Sequence, residues 1–504
     1  MLTKHTYCIS DLHLGGALPT QGDIGFQMCP TVARQRLAGF INYVSQVHAD
    51  DGITQLIING DFIDFLAEKP ITDTKSVELG QRASFESFTE NAQQATEKLK
   101  RVIHSVDEGA PEGKRVFDAL EHFVQKGHQL TIILGNHDIE LSLQPVRRML
   151  IERLTQGHPS LVEFIYDGEA YIDGNIIAEH GNRYDGWNAV DHGALRAYRS
   201  ALTRNESCQG VFTPPPGSRL VAQVMNQLKT RYKFIDLLKP ENEALIPILV
   251  ALEPEVLKHL WAIAPLVREQ HKITPPVGRP PKRLSYISAE TPSAETLTSY
   301  RPQNVDQITT ELLQQAEEEW GSDAVPKEAT QISGGQWSWL DSPNSLWRII
   351  KEKREAELSR YKALRRAFVS YRKTLDSPFD HTQEAKRYLE AAKSISGEAG
   401  RIVLLGHTHL PKCIRLNHGV YLNSGTWCPI IRLPKECYDP DEPEGAAVQI
   451  LQDFIRDLAH NVTERWCELH TTCIYIRRDE ASVTAELIEV TASNELQCIA
   501  VEQL

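Results

Sequence analysis

The chain has 504 residues, 41% hydrophobic and 24% charged, a balance that excludes a disordered polymer and fits one large enzyme domain with insertions, or about two or three ordinary domains. Its net charge of −13 excludes passive attraction of polyanions by the molecule as a whole, though not by a local basic face. Nine scattered cysteines, odd in number and without a C-x-x-C pair, argue against a disulfide framework and against a thiolate zinc knuckle.

The first apolar, β-prone run is Thr6-Tyr7-Cys8-Ile9, without the pattern of a charged leader followed by a long apolar stretch, so no signal peptide is expected. No window approaches the roughly 18 to 20 apolar residues that cross a bilayer, so a cytoplasmic protein without a transmembrane segment is expected. Short apolar runs with the length of buried strands recur at Tyr7 to Ser10, Gln55 to Asn59, Gln129 to Leu134, Asn175 to Ala178, Ile402 to Leu405 and Gly419 to Leu422. Helix-like stretches lie between the first three, Thr31 to Val47 and Arg82 to Lys126. The pattern predicts an α/β architecture in which helices cover a sheet.

Beyond about Gly186 the strand-like runs cease, and residues 187–400 read as a helical insertion or cap after a core part in 1–186. Pro214-Pro215-Pro216 and Thr274 to Pro302 read as exposed loops or linker. Arg348 to Lys373 carries ten Lys or Arg against three acidic residues, with apolar residues at helical spacing. It is either a solvated face of a packed helix or a face that guides an anionic substrate or nucleic acid. A second core part follows in 401–435. The remainder, 436–504, is an acidic helical stretch, with nine Asp or Glu against two Arg over Glu436 to His470, and then a terminal hairpin, packed on the core.

Five polar clusters follow the strand-like runs. They are Ser10-Asp11-Leu12-His13, Asn59-Gly60-Asp61-Phe62-Ile63-Asp64, Leu134-Gly135-Asn136-His137-Asp138, Glu179-His180-Gly181-Asn182 and Gly406-His407-Thr408-His409-Leu410-Pro411. Ends of strands are where α/β sheets place ligands. Asp and His one residue apart can serve one cation, Asp61 has two oxygens with which to bridge two cations, and Asn136 offers a neutral carbonyl oxygen. Any one cluster can be a cap or a turn; five together point to a metal site.

The order D-x-H, G-D-x-x-D, G-N-H-D, H-G and G-H-T-H resembles the calcineurin-like metallophosphoesterases over about Tyr7 to Tyr184 and Arg401 to Pro429. The resemblance implies a four-layer fold, two packed β-sheets flanked by helices, here with a large helical insertion. It implies one metal on Asp11, His13, Asp61 and His409 and a second on Asp61, Asn136, His180 and His407, with a hydroxide between them attacking phosphorus. His137 would then contact the phosphate and protonate or stabilise the leaving oxygen, and Asp64 would orient His137. The oxygen and nitrogen donors suit two divalent ions, Mn²⁺ in first place, with Fe or Zn²⁺ as alternatives.

His409-Leu410-Pro411 with Asn423-Ser424-Gly425-Thr426-Trp427 is similar to the branch containing the UDP-2,3-diacylglucosamine pyrophosphatases. The chain differs from that branch in His137 where Arg is frequent, in Thr426 where an acid stands, and in its longer cap. Asn136, Arg183 and Asn423 are candidate substrate contacts, and Arg183, Tyr184 and Asp185, close behind His180, could reach the substrate phosphate or support a ligand. The expected activity is hydrolysis of a phosphodiester, pyrophosphate or phosphomonoester bond, on a phosphorylated small molecule, a nucleotide or a nucleotide-linked compound. The basic segment 348–373 keeps a nuclease reading open, and an inactive, regulatory subunit is the remaining alternative.

Overall fold

The computed structural model describes residues 3–16, 26–48, 52–67, 92–155, 161–206, 231–240, 244–252, 357–479 and 482–504, with short pieces between 212 and 229. The stretch Thr274 to Pro302 and the beginnings of two predicted helical segments, 82–91 and 348–356, lie outside the described residues. The protein is mixed α/β with two large sheets.

Strands β1 (Thr3–Ile9), β2 (Gly52–Asn59), β3 (Gln129–Ile133) and β4 (Val162–Ile165) run parallel at the centre and one edge of the first sheet. Strands β5 (Tyr171–Asp173), β6 (Ile176–Ala178), β7 (Ile402–Leu405), β8 (Pro411–Arg415) and β9 (Val420–Ser424) form the second, in the order β8-β9-β7-β6-β5. Here β6, β7 and β9 are parallel, while β5 and β8 are antiparallel edges. The C-terminal strands β10 (Thr472–Arg478), β11 (Val483–Val490) and β12 (Leu496–Gln503) return to the first sheet, where β10 lies antiparallel to β1.

Side chains alternate across each strand, which explains why the central runs are apolar without a break. Cys8, Ile57 and Ile133 point to one face and pack with Ile176, Ala178, Ile402, Leu404, Leu422, Ile474 and Leu487, so one cluster draws on both sheets. Ile9, Leu56, Ile58 and Ile132 point the other way, against helices α1 (Thr31–Val44), α2 (Ala92–Asp107), α3 (Val116–Gln125) and α4 (Gln144–Thr155). Phe40, Leu99, Phe117 and Leu150 are fully buried there, each such side chain contributing about 1.5–3 kcal/mol.

Two expected boundaries move. Helices α5 (His192–Leu202) and α7 (Lys386–Ser396), read as parts of the insertion, belong to the main body. Tyr198 and Ala201 of α5 join the helix-covered core, and Tyr388 and Ala392 of α7 pack on Val403, Leu405 and Tyr421 at the outer face of the second sheet. Conversely, 436–504 is not one unit packed on the core. Its helix α8 (Glu444–Ala459) shares a separate cluster with the insertion, in which Leu451, Phe454 and Leu458 meet Phe234, Leu238 and the Leu364 and Phe368 side chains of helix α6 (Glu357–Ser370). The terminal hairpin has a third strand, β12. Ile499 and Val501 on it are exposed, so it lacks the one-sided apolar alternation that reveals a strand.

The basic helix and the acidic stretch are charge partners. Arg365 is buried and donates to the carbonyls of Asp439 and Glu442, while Lys362 and Arg366 lie 3.9 and 3.7 Å from Glu444. Every described cysteine is a free thiol. Among the described residues no helix is long and apolar enough to cross a membrane.

Candidate metal centre

Five loops meet where β1, β2, β3, β6 and β7 end, all at their carboxyl ends. The first two are zipped together by backbone bonds from Asp11 N to Gly60 O, from His13 N to Asp61 O and from Leu14 N to Phe62 O, at 3.1, 2.9 and 3.0 Å. The two sheets are stitched across the site. Asn59 Nδ2 donates to Glu179 O at 3.0 Å, His180 Nδ1 donates to Asn59 O at 2.9 Å, and the His407 amide donates to both oxygens of Asp11. Ser10 Oγ reaches Ser424 Oγ at 2.9 Å and donates to Gly425 O.

Tight loops strain the backbone at the chemical residues themselves. Asp11, His13, Asp61, His407 and His409 have φ of 53, 43, 50, 70 and 62°, a region that non-glycine residues seldom occupy and that tends to mark functional sites. Gly60 and Gly135 make the convergence sterically possible. A Cβ on Gly60 would lie 2.3 Å from His180 Nδ1, and one on Gly135 would lie 2.0 Å from Asp61 Oδ1.

The structure brings Asp11, His13, Asp61 and His409 into one buried group able to hold a metal ion, and Asp61, His180 and His407 into a second. Asp61 belongs to both. His13 Nε2 is 3.1 Å from His409 Nε2, His409 Nε2 is 3.4 Å from Asp11 Oδ1, and His180 Nε2 is 3.2 Å from Asp61 Oδ2. Donors bound at about 2.0–2.2 Å around one cation stand about 2.9–3.6 Å apart, so these edges fit a coordination shell. Among the described residues, Asn136 Oδ1, His180 Nε2 and His13 Nδ1 are buried without a hydrogen-bond partner, a costly condition that coordination would relieve for the first two.

Protonation follows the same pattern. Burial lowers His13 to about 3, and burial, with Lys239 and His13 beside it, holds His409 well below the usual imidazole range. Neutral imidazoles are what a cation requires. Burial pushes Asp61 up, but the facing His180 and His137 outweigh it and keep it ionised. For His180, burial lowers the pKa, yet Asp61 raises it to about 10, a proton that a bound cation would displace.

A third overlapping group is His13, Asp64 and His137. His137 Nδ1 lies 3.1 Å from Asp64 Oδ1 and donates to it, leaving Nε2 available. Burial lowers His137, but Asp64 and Asp61 carry it to about 9, while burial raises Asp64 and His137 brings it down to about 2. The amides of Leu66 and Ala67 also donate to Asp64 Oδ1 and fix it.

Two of the candidate substrate contacts are engaged elsewhere. Asn423 is fully buried; its Nδ2 donates to Gly406 O and Thr408 Oγ1, and its Oδ1 accepts from the Gly425 amide, so it shapes the loop of His407 and His409. Arg183 is turned to the Glu179 carboxylate, 3.3 Å away, and to the Gly168 carbonyl. Trp427 is a core residue, fully buried with Nε1 donating to Thr472 O.

Three further residues support the donors; the sequence marks Asp185 as one that could reach the substrate phosphate or stand behind a ligand, and gives Asp138 and Thr426 no role. Asp185 accepts from His407 Nε2 at 3.1 Å and thereby leaves Nδ1 for a cation. Burial raises Asp185, but this bond and the Arg387 charge hold it below the usual carboxylate range. Asp138 accepts from the amides of Gly135 and Phe62, at 2.7 and 2.8 Å, and locks two ligand loops together. Thr426 Oγ1 donates to the Asp11 carbonyl at 2.6 Å, a task the hydroxyl performs without the charge of an acid. Position within a motif signals the Asp138 role and closeness to His180 signals Asp185; nothing in the spacing signals Thr426. The chain matches no family model and no curated protein.

Proposed function

We propose that the protein is a dimetal phosphoesterase. The observation that carries this reading is the sharing of Asp61 between two buried donor groups, with the hydrogen-bonded pair His137 and Asp64 beside them. The two packed sheets, with helices on their outer faces, agree with the four-layer sandwich that accompanies such sites.

Asp11, His13, Asp61 and His409 would hold one divalent ion, and Asp61, Asn136, His180 and His407 the other. Bound there, the pair would supply charge neutralisation at the phosphoryl oxygens and lower the pKa of water. Asp185 and the Asn59 carbonyl hold His407 Nε2 and His180 Nδ1, which would leave the opposite ring nitrogens for the ions. His137, its Nδ1 proton held by Asp64, presents Nε2 to the phosphate and gives a proton to the leaving oxygen. The set of oxygen and nitrogen donors without sulfur favours Mn²⁺, with Fe or Zn²⁺ fitting the same atoms.

A nucleotide or nucleotide-linked compound is the favoured substrate. The nuclease reading loses part of its motive, because Arg365 is buried and Lys362 and Arg366 face Glu444. Metal content and hydrolysis of p-nitrophenyl phosphate, bis-p-nitrophenyl phosphate and a nucleotide panel test the proposal. Turnover should require added Mn²⁺, vanish with chelator and be lost in Asp61→Ala together with bound metal. Absence of metal-dependent turnover on every phosphoester would sink it.

A further inference from the structure

The basic stretch enters the fold with several of its cations already engaged. Arg365 is buried on two carbonyls, and Lys362 and Arg366 face Glu444. Arg372 and Lys373, two and three residues beyond the end of α6, differ from these. Both are exposed, and among the described residues neither side chain has a carboxylate or a hydrogen-bond acceptor. They line a cavity of about 470 Å³ together with Asp376, Ser377, Asp380 and Gln383. That volume lies in the range of small-ligand sites.

The acidic groups of the cavity are satisfied from within the protein. Asp376 Oδ1 accepts from Arg432 Nη2 at 2.6 Å and from the Tyr438 hydroxyl at 2.7 Å, and Asp380 accepts from Thr382 and Gln383. Lys412 adds a cation behind the wall, where its ammonium donates to the carbonyls of Pro378 and Asp380. Arg372, Lys373, Lys412 and Arg432 thus stand against Asp376, Asp380 and Glu384, the last being felt by Lys412. The result is a local positive excess in a chain whose net charge is −13.

The chain ties this cavity to the metal centre. Lys412 stands on β8, three residues after His409, and the neighbouring Cys413 amide donates to His381 O at 2.9 Å. Residues 378–381 therefore run beside the strand that leaves the loop of His407 and His409. Three residues of extended chain span about 10 Å, a length that one nucleotide covers.

We propose that this cavity is a second phosphate site, in which Arg372 and Lys373 hold a phosphate group other than the one being cleaved. The planar guanidinium takes two oxygens of one phosphate, the ammonium takes another as a point charge, and the Ser377 hydroxyl adds an uncharged donor. Two sources carry that chemistry, the remote phosphate of a nucleotide substrate and free inorganic phosphate or pyrophosphate. The site itself stands on the cavity and its cations; only its link to turnover rests on the phosphoesterase reading.

The test titrates inorganic pyrophosphate by calorimetry into the full chain stripped of metal with chelator. The wild type is compared with Arg372→Gln/Lys373→Gln and with Arg372→Lys/Lys373→Arg. Loss of two exposed charge contacts corresponds to about 3- to 30-fold in affinity. The glutamine pair should weaken binding by that factor and the exchanged pair should keep most of it, at an unchanged melting temperature, since both side chains are exposed. Equal affinity in all three proteins, or no binding by the wild type, would overturn the site. Turnover with Mn²⁺ then tells the two sources apart. A rise in KM for a nucleoside triphosphate that p-nitrophenyl phosphate, which has no second phosphate, does not share assigns the site to the remote phosphate of the substrate. Weakened pyrophosphate binding with the same KM assigns it to free phosphate. If no phosphoester is hydrolysed, the phosphoesterase reading fails, and the pyrophosphate titration still judges the cavity.

Discussion

Gly135 has no side chain because Asp61 occupies the space where one would begin. A Cβ there would come within 2.5 Å of the Asp61 backbone nitrogen as well as 2.0 Å of its Oδ1. Gly135→Ala is expected to shift Asp61 and cost at least about tenfold in metal affinity and activity, as second-sphere changes do, with the far-ultraviolet spectrum kept. Asp185→Asn preserves shape but removes the charge that orients His407. Metal affinity in a chelator competition should fall about 10- to 100-fold, and an unchanged affinity would show that His407 needs no such partner. The candidate donors themselves were legible because each sits in a short motif behind an apolar strand. The partner of Asp185 was not: His407 lies 222 positions away from it. The bonds of Asn423 were hidden for a different reason: they close within a loop whose shape no spacing reveals.

At the scale of elements, strands buried on both faces announce themselves as unbroken apolar runs, as Gln55 to Asn59 does, whereas the exposed edge strand β12 does not. Glu140, on the turn Ile139–Ser142 ahead of α4, is a buried carboxyl whose oxygens have no hydrogen-bond partner among the described residues. Burial pushes it up to about 8, against the pull of Lys98. The folded state therefore binds a proton that the unfolded state releases at about 4.5, and stability falls as pH rises from about 4.5 to 8. Glu140→Gln removes this slope. Its melting temperature should gain on the wild type steadily between pH 5 and 8, and a constant gap would refute the burial argument. Arg365 holds α6 to the acidic segment through two carbonyls, so Arg365→Met should cost about 1–3 kcal/mol in stability, read by denaturant unfolding, while metal content stays intact.

For the whole molecule, the site depends on two sheets facing each other, and the last strands help to hold them there. A chain ending at Thr471 would lose Ile474, Ile476, Ala485 and Leu487 from the cluster between the sheets and leave β1 with an open edge. It is expected to aggregate and to show no cooperative melting, checked by scanning fluorimetry and sedimentation. The sequence by itself determined the chemistry: the donor types, their order behind apolar strands and the glycines beside them are local properties of the chain. Only the tertiary structure decided which carboxylate steadies which histidine, and that α7 covers a sheet while α8 joins the insertion. These rest on contacts between segments far apart in the chain, where burial and charge act through space and leave no mark in local spacing.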